Sequence, residues 1–288
     1  MDTKALIKKV RKIEIKTKGL TSQIFSGEYH SAFKGKGMAF SEVREYALGD
    51  EIRTIDWNVT ARFNEPFVKV FEEERELTVM LVVDVSPSGM FGTKNQLKRE
   101  TITELCAVLA FSASSNKDRI GVILFSDKVV KYIPPKKGKS HILQIIRTLL
   151  NQKAEGKETD IESALQFLSK IQKKKATVFL LSDFRSKPYE SALKIVSRKH
   201  DLIALKFGDD GEYQLPKIGL AKFKDLETGK SIWVNTLSKS ARLDYRERQQ
   251  KFDNEIKLKF RQFNIDYAEL KTNEDYIKPL MNLFERRS

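Results

Sequence analysis

Carboxylates and hydroxyls follow two apolar stretches of this 288-residue chain, and a third polar group precedes a predicted helix. The run LTVMLVVD leads into Asp84-Val85-Ser86-Pro87-Ser88-Gly89, and the run ATVFLLSD ends in Ser182-Asp183. Glu158-Thr159-Asp160 stands before a helix predicted from residue 160. All these groups are hard oxygen donors, which suit Mg²⁺ or Mn²⁺. We therefore expect a metal site in which two carboxylates and several hydroxyls meet.

The elements around these groups predict a sheet that brings them to one edge. Continuous apolar runs are typical of buried strands in a parallel sheet, and they occupy residues 77–84, 119–126, 176–183 and 201–207. Helical patterns alternate with them over residues 98–115, 140–152, 160–173, 188–199, 238–263 and 274–285. This order favours an α/β, doubly wound, mostly parallel sheet. Ligands of such sheets bind beyond the carboxyl ends of the strands, where the strand order reverses.

Two hairpins and one further strand complete this expectation. The segment KVVKYI is expected to pair with the strand before it, and AKFKDLETGKSIWVN is expected to turn at Thr228-Gly229. The segment FNIDYAEL reads as the last strand. Trp233 is expected to pack on the sheet of its own hairpin.

Other catalytic motifs fail at the same positions. DVSPSG does not have the spacing of a dinucleotide fingerprint, and Ile133 stands where a P-loop before Gly138-Lys139-Ser140 requires a glycine. Ser86 stands where a haloacid-dehalogenase phosphatase requires its second Asp. The nucleophile elbow GxSxG is absent around Ser86 and Ser88. The sequence thus supplies a metal site without an evident nucleophile–base pair.

Composition excludes several other classes of protein. The formal net charge is +14 and hydrophobic residues make up 40%, enough for a sizeable core. A single cysteine, Cys106, excludes a disulfide framework and multi-Cys metal sites, and its place on the apolar face of a predicted helix predicts burial. The three histidines lie far apart in sequence. Without a long apolar run, we expect no secretory signal or transmembrane segment and a cytoplasmic protein.

Taken in chain order, the polar groups resemble the metal-ion-dependent adhesion site of von Willebrand factor A domains. That pattern is Asp-x-Ser-x-Ser after the first strand, a later Thr, and an Asp after a central strand, and it matches Asp84, Ser86, Ser88, Thr159 and Asp183. The resemblance implies that the serine hydroxyls bind Mg²⁺ (or Mn²⁺) directly and that the carboxylates hold it largely through water. It implies that Thr159 binds directly or through water, and that a partner's carboxylate takes the remaining position.

The segment upstream resembles the signature of the bacterial domain-of-unknown-function 58 family. Its signature residues are Arg44, Tyr46, Gly49, Asp50, Arg53, Asp56, Trp57 and Arg62, and the run over residues 73–76 also fits. The resemblance covers roughly residues 25–240, most of the chain. Gly89, followed by Met90, stands where a Met often follows the second motif serine. This departure leaves the ligands intact but is expected to loosen the loop.

This resemblance implies a function as well as a fold. Members are typically encoded beside MoxR-type AAA+ ATPases, which implies a non-enzymatic, Mg²⁺-dependent adaptor or co-chaperone for such an ATPase and its client protein. An acidic side chain of the ATPase or client is the implied metal ligand, and no small-molecule substrate is expected. Many relatives carry membrane spans before this region, so this chain is expected to be a soluble version.

Two alternatives to the adaptor stay open. The first is a Mg²⁺-dependent phosphoester hydrolase that uses Asp84 and Asp183, against which the missing general base argues. The second is a nucleic-acid-binding protein, since lysines cluster over residues 128–139 and could attract phosphates. No nucleic-acid motif with interleaved aromatics accompanies these lysines.

We expect two regions, a partly β N-terminal segment over residues 1–76 and a von Willebrand A-like domain over residues 77–288 on which it packs. A short basic helix is predicted over residues 3–17 and a glycine-punctuated loop over residues 33–38. Arg44, Arg53, Asp56, Trp57 and Arg62 are expected to form a salt-bridged scaffold under the sheet, with Trp57 packed into a core. Ser182 is expected to be a structural hydrogen bonder, and Thr159-Asp160 to cap the following helix.

Overall fold

The computed structural model of the chain describes residues 39–63, 65–72, 77–93, 97–152, 156, 158–224, 229–272 and 274–287. The chain divides into two compact units, a smaller one over Lys34–Leu77 and a larger one that includes Thr78–Ser288. The helix predicted over residues 3–17, the loop predicted over residues 33–38 and the signature run over residues 73–76 lie outside the described residues.

The smaller unit contains an antiparallel strand pair. Strand β1 (Ala39–Glu45) pairs with strand β2 (Phe67–Glu72). A 3₁₀ turn (Ile52–Thr54) and the short helix α1 (Trp57–Phe63) lie between them in sequence. The partly β character predicted for this part of the chain is therefore present over the described residues 39–72.

The larger unit is built on a six-stranded sheet. Its strands are β3 (Thr78–Asp84), β4 (Arg119–Phe125), β5 (Val129–Lys136), β6 (Thr177–Ser182), β7 (Asp201–Gly208) and β10 (Asp266–Lys271). Their spatial order is β10-β7-β6-β3-β4-β5, and every neighbouring pair is parallel except β4 and β5. The inner strands are buried on both faces, as their continuous apolar runs require. The predicted mostly parallel α/β sheet is confirmed.

Helices cover both faces of this sheet. They are α2 (Lys98–Ser115), α3 (Lys139–Asn151), α4 (Ile161–Ile171), α5 (Glu190–Lys199), α6 (Lys239–Gln262) and α7 (Ile277–Glu285). Alternate residues of one strand serve opposite faces. Val178 and Leu180 of β6 join the core that α4, α5 and α6 cover, whereas the Phe179 ring lies 6.5 Å from the ring of Phe284 in α7. Cys106 in α2 is fully buried, as predicted.

The strand order reverses at β3. The chain leaves β3 for β4 and β5 on one side, then returns to β6, which pairs with the other side of β3. Because β3, β4 and β6 are parallel, the loops after all three emerge at one edge of the sheet. This is the place where open α/β sheets bind ligands, and it carries the predicted metal ligands.

A separate hairpin lies between β7 and α6 in sequence. Strand β8 (Leu220–Lys224) pairs antiparallel with β9 (Ser231–Asn235), as predicted, although part of the turn between them lies outside the described residues. The expectation that Trp233 packs on this sheet is wrong, because its side chain is 64% exposed. Trp233 points to the opposite face from its neighbours Ile232 and Val234, since side chains alternate along a strand.

Candidate metal site at the carboxyl edge of the sheet

The loop after β3 places two serine hydroxyls beside a buried carboxylate. Asp84 ends the strand and its Oδ1 accepts a hydrogen bond from the backbone N–H of Ser86 at 2.9 Å. Such a bond turns the chain sharply, as Asp side chains do in local turns. A 3₁₀ turn (Pro87–Met90) follows, and it brings the Ser88 Oγ to 2.9 Å from the Ser86 Oγ. Two hydroxyl oxygens therefore lie side by side at the end of β3.

The last residue of β6 is joined directly to Asp84. The Ser182 hydroxyl donates to Asp84 Oδ2 at 2.6 Å and accepts a hydrogen bond from the backbone N–H of Phe184 at 3.0 Å. Ser182 is thus the structural hydrogen bonder that the sequence analysis predicted. Asp183 Oδ1 accepts from the backbone N–H of Arg185 at 3.1 Å, so its carboxylate is also held by its own loop.

Thr159 lies in a loop that is tied to its neighbours on two sides. The Ser186 hydroxyl, after β6, donates to the carbonyl of Thr159 at 2.9 Å and accepts from the Ile161 N–H at 3.1 Å. The Asp160 N–H donates to the carbonyl of Ser126, after β4, at 2.7 Å. Asp160 also caps α4, since its Oδ1 accepts from the Ser163 N–H at 2.9 Å. Thr159, which is buried, is therefore held at the same edge as the other predicted ligands.

The two carboxylates lie close enough to repel each other. Burial, and then the negative charge of Asp183, together raise the pKa of Asp84 to about 6. Both effects disfavour the ionised carboxyl. A cation placed between these groups would relieve the repulsion.

A buried lysine, which the sequence analysis missed, shares this edge. Lys98 at the start of α2 is 1% exposed. Its Nζ lies 3.4 Å from Asp183 Oδ2 and 2.5 Å from Glu212 Oε1. Burial alone lowers the pKa of Lys98, but the charges of Asp183 and Glu212 outweigh burial, so the pKa is raised. The sequence held one sign that Lys98 is buried. Lys98 precedes Ile102 by four residues and Leu105 by seven, so it falls on the apolar face of the helix.

A second missed residue, Asp209, holds the end of the β3 loop. It is fully buried and accepts hydrogen bonds from the Thr93 hydroxyl at 2.5 Å and from the Gly211 N–H at 2.9 Å. The Thr272 hydroxyl, after β10, also donates to it. One carboxylate thus joins the loops after β3, β7 and β10. The sequence signal that could have identified Asp209 is the polar turn after the fourth apolar run, over residues 201–207.

The donor set fits a hard divalent cation. Over the described ranges, no group of three or more His, Cys, Asp or Glu side chains could hold a metal ion by itself. A cation at this edge would therefore depend on the Ser86 and Ser88 hydroxyls as well as on Asp84 and Asp183. Hydroxyls, carboxylates and water are ligands that Mg²⁺ accepts.

The signature residues of the smaller unit divide into paired and exposed ones. Arg44 Nη2 lies 2.7 Å from Asp50 Oδ1. The Asp56 carboxylate accepts from the first turn of α1 and lies 3.5 Å from Lys69 Nζ. Gly49 has a φ of +111°, which disfavours any residue with a Cβ. Tyr46 is half-buried.

The expectation that Trp57 packs into a core is wrong. Its side chain is 68% exposed, and no residue of the two-turn helix α1 is buried. Arg53 and Arg62 are exposed as well. Of the residues expected in a salt-bridged scaffold, Arg44 pairs with Asp50 and Asp56 pairs with Lys69. So short a helix covers too little surface to enclose the Trp57 ring.

One family model and several known proteins are similar to this chain. The model of a family described as "Protein of unknown function DUF58" matches residues 42–255. The chain is 28% identical over 232 residues to an uncharacterised protein of Mycobacterium tuberculosis, which is 80% of this chain and 73% of that one. Similar solved structures include the conserved hypothetical protein BatB from Bacteroides thetaiotaomicron (TM-score 0.49, 14% identity, 73% of this chain and 98% of that one). Another is the SpRpn10 VWA domain (TM-score 0.39, 10% identity, 74% and 95%).

Proposed function

We propose that this chain, which belongs to the family of proteins of unknown function DUF58, is a non-enzymatic protein-interaction module. The observation that carries this proposal is the arrangement at the carboxyl edge of the sheet. Two mutually repelling carboxylates lie beside a pair of adjacent serine hydroxyls. This arrangement suits a divalent cation whose remaining position is taken by an acidic side chain of a partner protein.

The residues that would hold Mg²⁺ (or Mn²⁺) are the five that the sequence analysis named. Ser86 and Ser88 would supply direct hydroxyl ligands, Asp84 and Asp183 would act largely through water, and Thr159 would complete the set. When bound, the cation supplies an electrophilic position for a carboxylate. Few direct anionic ligands leave more positive charge for that external carboxylate.

The surrounding residues support this role by holding the ligands still. Ser182 fixes Asp84 from the end of the neighbouring strand β6, and Ser186 fixes the Thr159 loop. Lys98 takes up part of the negative charge of Asp183. Preorganised ligands of this kind lose little freedom when a cation binds, which favours affinity.

The partner we propose is a MoxR-type AAA+ ATPase, with its client protein, in the cytoplasm. The family resemblance supports this choice, and the adaptor or co-chaperone role follows from it. No helix among the described residues is both long and apolar enough to cross a membrane.

The first test measures metal binding by itself. We expect the purified protein to bind Mg²⁺ or Mn²⁺ in titration calorimetry, and we expect the heat to vanish in Asp84→Ala and in a Ser86→Ala, Ser88→Ala double variant. Asp127→Ala is the matched control, because Asp127 is an exposed carboxylate in the loop after β4. Equal binding by all four proteins would place the metal elsewhere and overturn the proposed site.

The second test adds the partner. Binding of the purified ATPase, followed by interferometry with ATP present, should be strong in Mg²⁺ and lost in EDTA and in Asp84→Ala. Equal binding in all three conditions would keep the partnership and reject the metal-dependent contact. Turnover of p-nitrophenyl phosphate that disappears in Asp84→Ala would instead support the hydrolase that uses Asp84 and Asp183, and would contradict the non-enzymatic role.

A further inference from the structure

A large groove opens beside the candidate metal site. Its volume is about 920 Å³, and Ser88 and Asp183 lie in its lining. One wall is the β8–β9 hairpin, and the other is the first half of α6. Ligand-binding cavities in proteins typically span about 300–1,000 Å³, so this groove, which we call the hairpin groove, is large enough for several side chains.

The hairpin presents an apolar face to this groove. Phe223 and Ile232 are directly paired across the two strands, as are Ala221 and Val234, so these four side chains share one face. Phe223, Ile232 and Val234 line the groove. Ile232 is nevertheless 63% exposed. An isolated two-stranded hairpin is only marginally stable in water unless its apolar face is covered, so this face would gain stability from a cover.

The lining of the groove holds slightly more basic than acidic residues. The basic ones are Arg185, Lys224, Lys230 and Arg248, and the acidic ones are Asp183, Glu212 and Asp244. Two of its acidic residues, Asp183 and Glu212, are both bonded to the buried ammonium of Lys98, which offsets part of their negative charge. The groove therefore favours an occupant that carries negative charge as well as apolar side chains.

We propose that the hairpin groove binds a short extended segment of a partner protein in which an acidic residue is followed or preceded closely by bulky apolar residues. The acidic residue would reach the edge formed by Ser88 and Asp183, and an apolar side chain would pack on Phe223 and Ile232. This inference rests on the proposed function and specifies the partner's chemistry. The aliphatic groups of Ile232 and Val234 suit Leu, Ile or Met side chains.

The test uses a phage-displayed library of random linear peptides, selected on the full-length protein in Mg²⁺. We expect the enriched peptides to share an Asp or Glu within a few positions of a bulky apolar residue. A synthetic, fluorescently labelled copy of the most enriched peptide then becomes the probe for anisotropy measurements with variants.

Two neighbouring residues on β9 supply the variant and its control. Ile232→Asp places a charge on the groove face and should lower the affinity for the probe peptide by about tenfold or more, as loss of a buried apolar anchor does. Trp233→Asp makes the same change on the opposite face and should leave affinity unchanged. Both side chains are more than 60% exposed, so both variants should fold, and thermal unfolding checks this.

The outcomes separate this inference from the proposed function. Loss of binding in Ile232→Asp and also in EDTA supports both. Loss in EDTA with no effect of Ile232→Asp, or with an equal effect of Trp233→Asp, keeps the metal site and overturns the groove. Loss in Ile232→Asp with full binding in EDTA supports the groove and overturns the metal-dependent function. If no such peptide is enriched, or if a labelled single-stranded oligonucleotide binds the wild type but not Arg248→Glu, the peptide proposal is overturned.

Discussion

Two buried lysines at the carboxyl edge of the same sheet have different neighbours. Lys206, in β7, lies 3.4 Å from Glu269 and 3.2 Å from the Tyr213 hydroxyl, and it also bonds Asp253. Lys98 bonds Glu212 and Asp183. In both cases burial alone lowers the lysine pKa, and the neighbouring acids raise it above its usual value.

The difference lies in what the carboxylate partners do elsewhere. Asp253 lies on α6 and Glu269 lies on β10. Glu269 also forms an ion pair with Lys257 at 3.1 Å. Asp183 instead repels the buried Asp84. The Lys206 cluster is therefore internally balanced, whereas the Lys98 cluster carries more negative than positive charge. Similar side-chain chemistry is thus a structural ion pair in one place and part of a candidate cation site in the other.

Removal of either buried lysine should give the largest loss in the free energy of unfolding. Lys98→Met leaves Asp183 and Glu212 without their ammonium, and breaking a buried pair costs about 3–5 kcal/mol. Lys206→Met should cost about 2 kcal/mol, because its partners are less buried and can regain water. Saturating Mg²⁺ should stabilise Lys98→Met by more than it stabilises the wild type, whereas Lys206→Met should gain only as much as the wild type.

Chemical unfolding of both variants, with Mg²⁺ or with EDTA, measures this difference. The wild type supplies the reference gain in stability from the metal. Equal gains from Mg²⁺ in the two variants would erase the distinction between the clusters and place the metal outside the Lys98 neighbourhood.

The pH dependence of stability should show the next largest effect. The Asp84 carboxyl titrates near 3.8 in the unfolded chain and near 6 in the fold, so the unfolded chain gives up its proton first. In EDTA, the free energy of unfolding should therefore fall by about 3 kcal/mol as pH rises from 4 through 6. Mg²⁺ should reverse the loss above pH 6, since it favours the ionised carboxylate.

Urea unfolding at a series of pH values in EDTA measures this change, and Asp84→Asn is the comparison. The variant keeps a similar shape but has no proton to lose, so its unfolding free energy should lack the decline. A decline of equal size in Asp84→Asn would assign the titration to another group.

The smallest expected effect concerns the second acid of each cluster. Glu212→Gln leaves Lys98 to neutralise Asp183 more fully, so Mg²⁺ affinity should fall by about threefold to tenfold. Asp253→Asn makes the corresponding change beside Lys206 and should leave Mg²⁺ affinity unchanged. Calorimetric titration measures the Mg²⁺ affinity of both variants. A weaker affinity in Asp253→Asn would show that the charges of the two clusters are coupled.

Most of the fold of the larger unit was predictable from local pattern. The runs before Asp84 and Asp183 are almost continuously apolar because both faces of those strands are covered, and this pattern is typical of buried strands in a parallel sheet. The hairpin around residue 229 followed equally from a turn signal between two alternating segments. The positions of Asp84, Ser86, Ser88, Thr159 and Asp183 at the loops of one edge followed from parallel strand order, while their metal binding stays a prediction.

Trp57 and Trp233 show where local pattern misleads. Large aromatic residues are mostly buried, so burial was the better expectation for both. Whether an indole ring is covered depends on what packs over it, and neither the short helix α1 nor the outer face of the hairpin has such a cover among the described residues.

By itself, the amino-acid sequence determined the order of strands and helices and the polar residues that end the strands. The hydrophobic pattern along the chain shows where each element begins and ends. Only the tertiary structure decided which of those polar residues neutralise one another. Lys98 and Glu212 are 114 positions apart, and Asp209 joins three loops from distant parts of the chain. Charges interact through space, so their balance at the candidate site follows from which loops the strand order brings together.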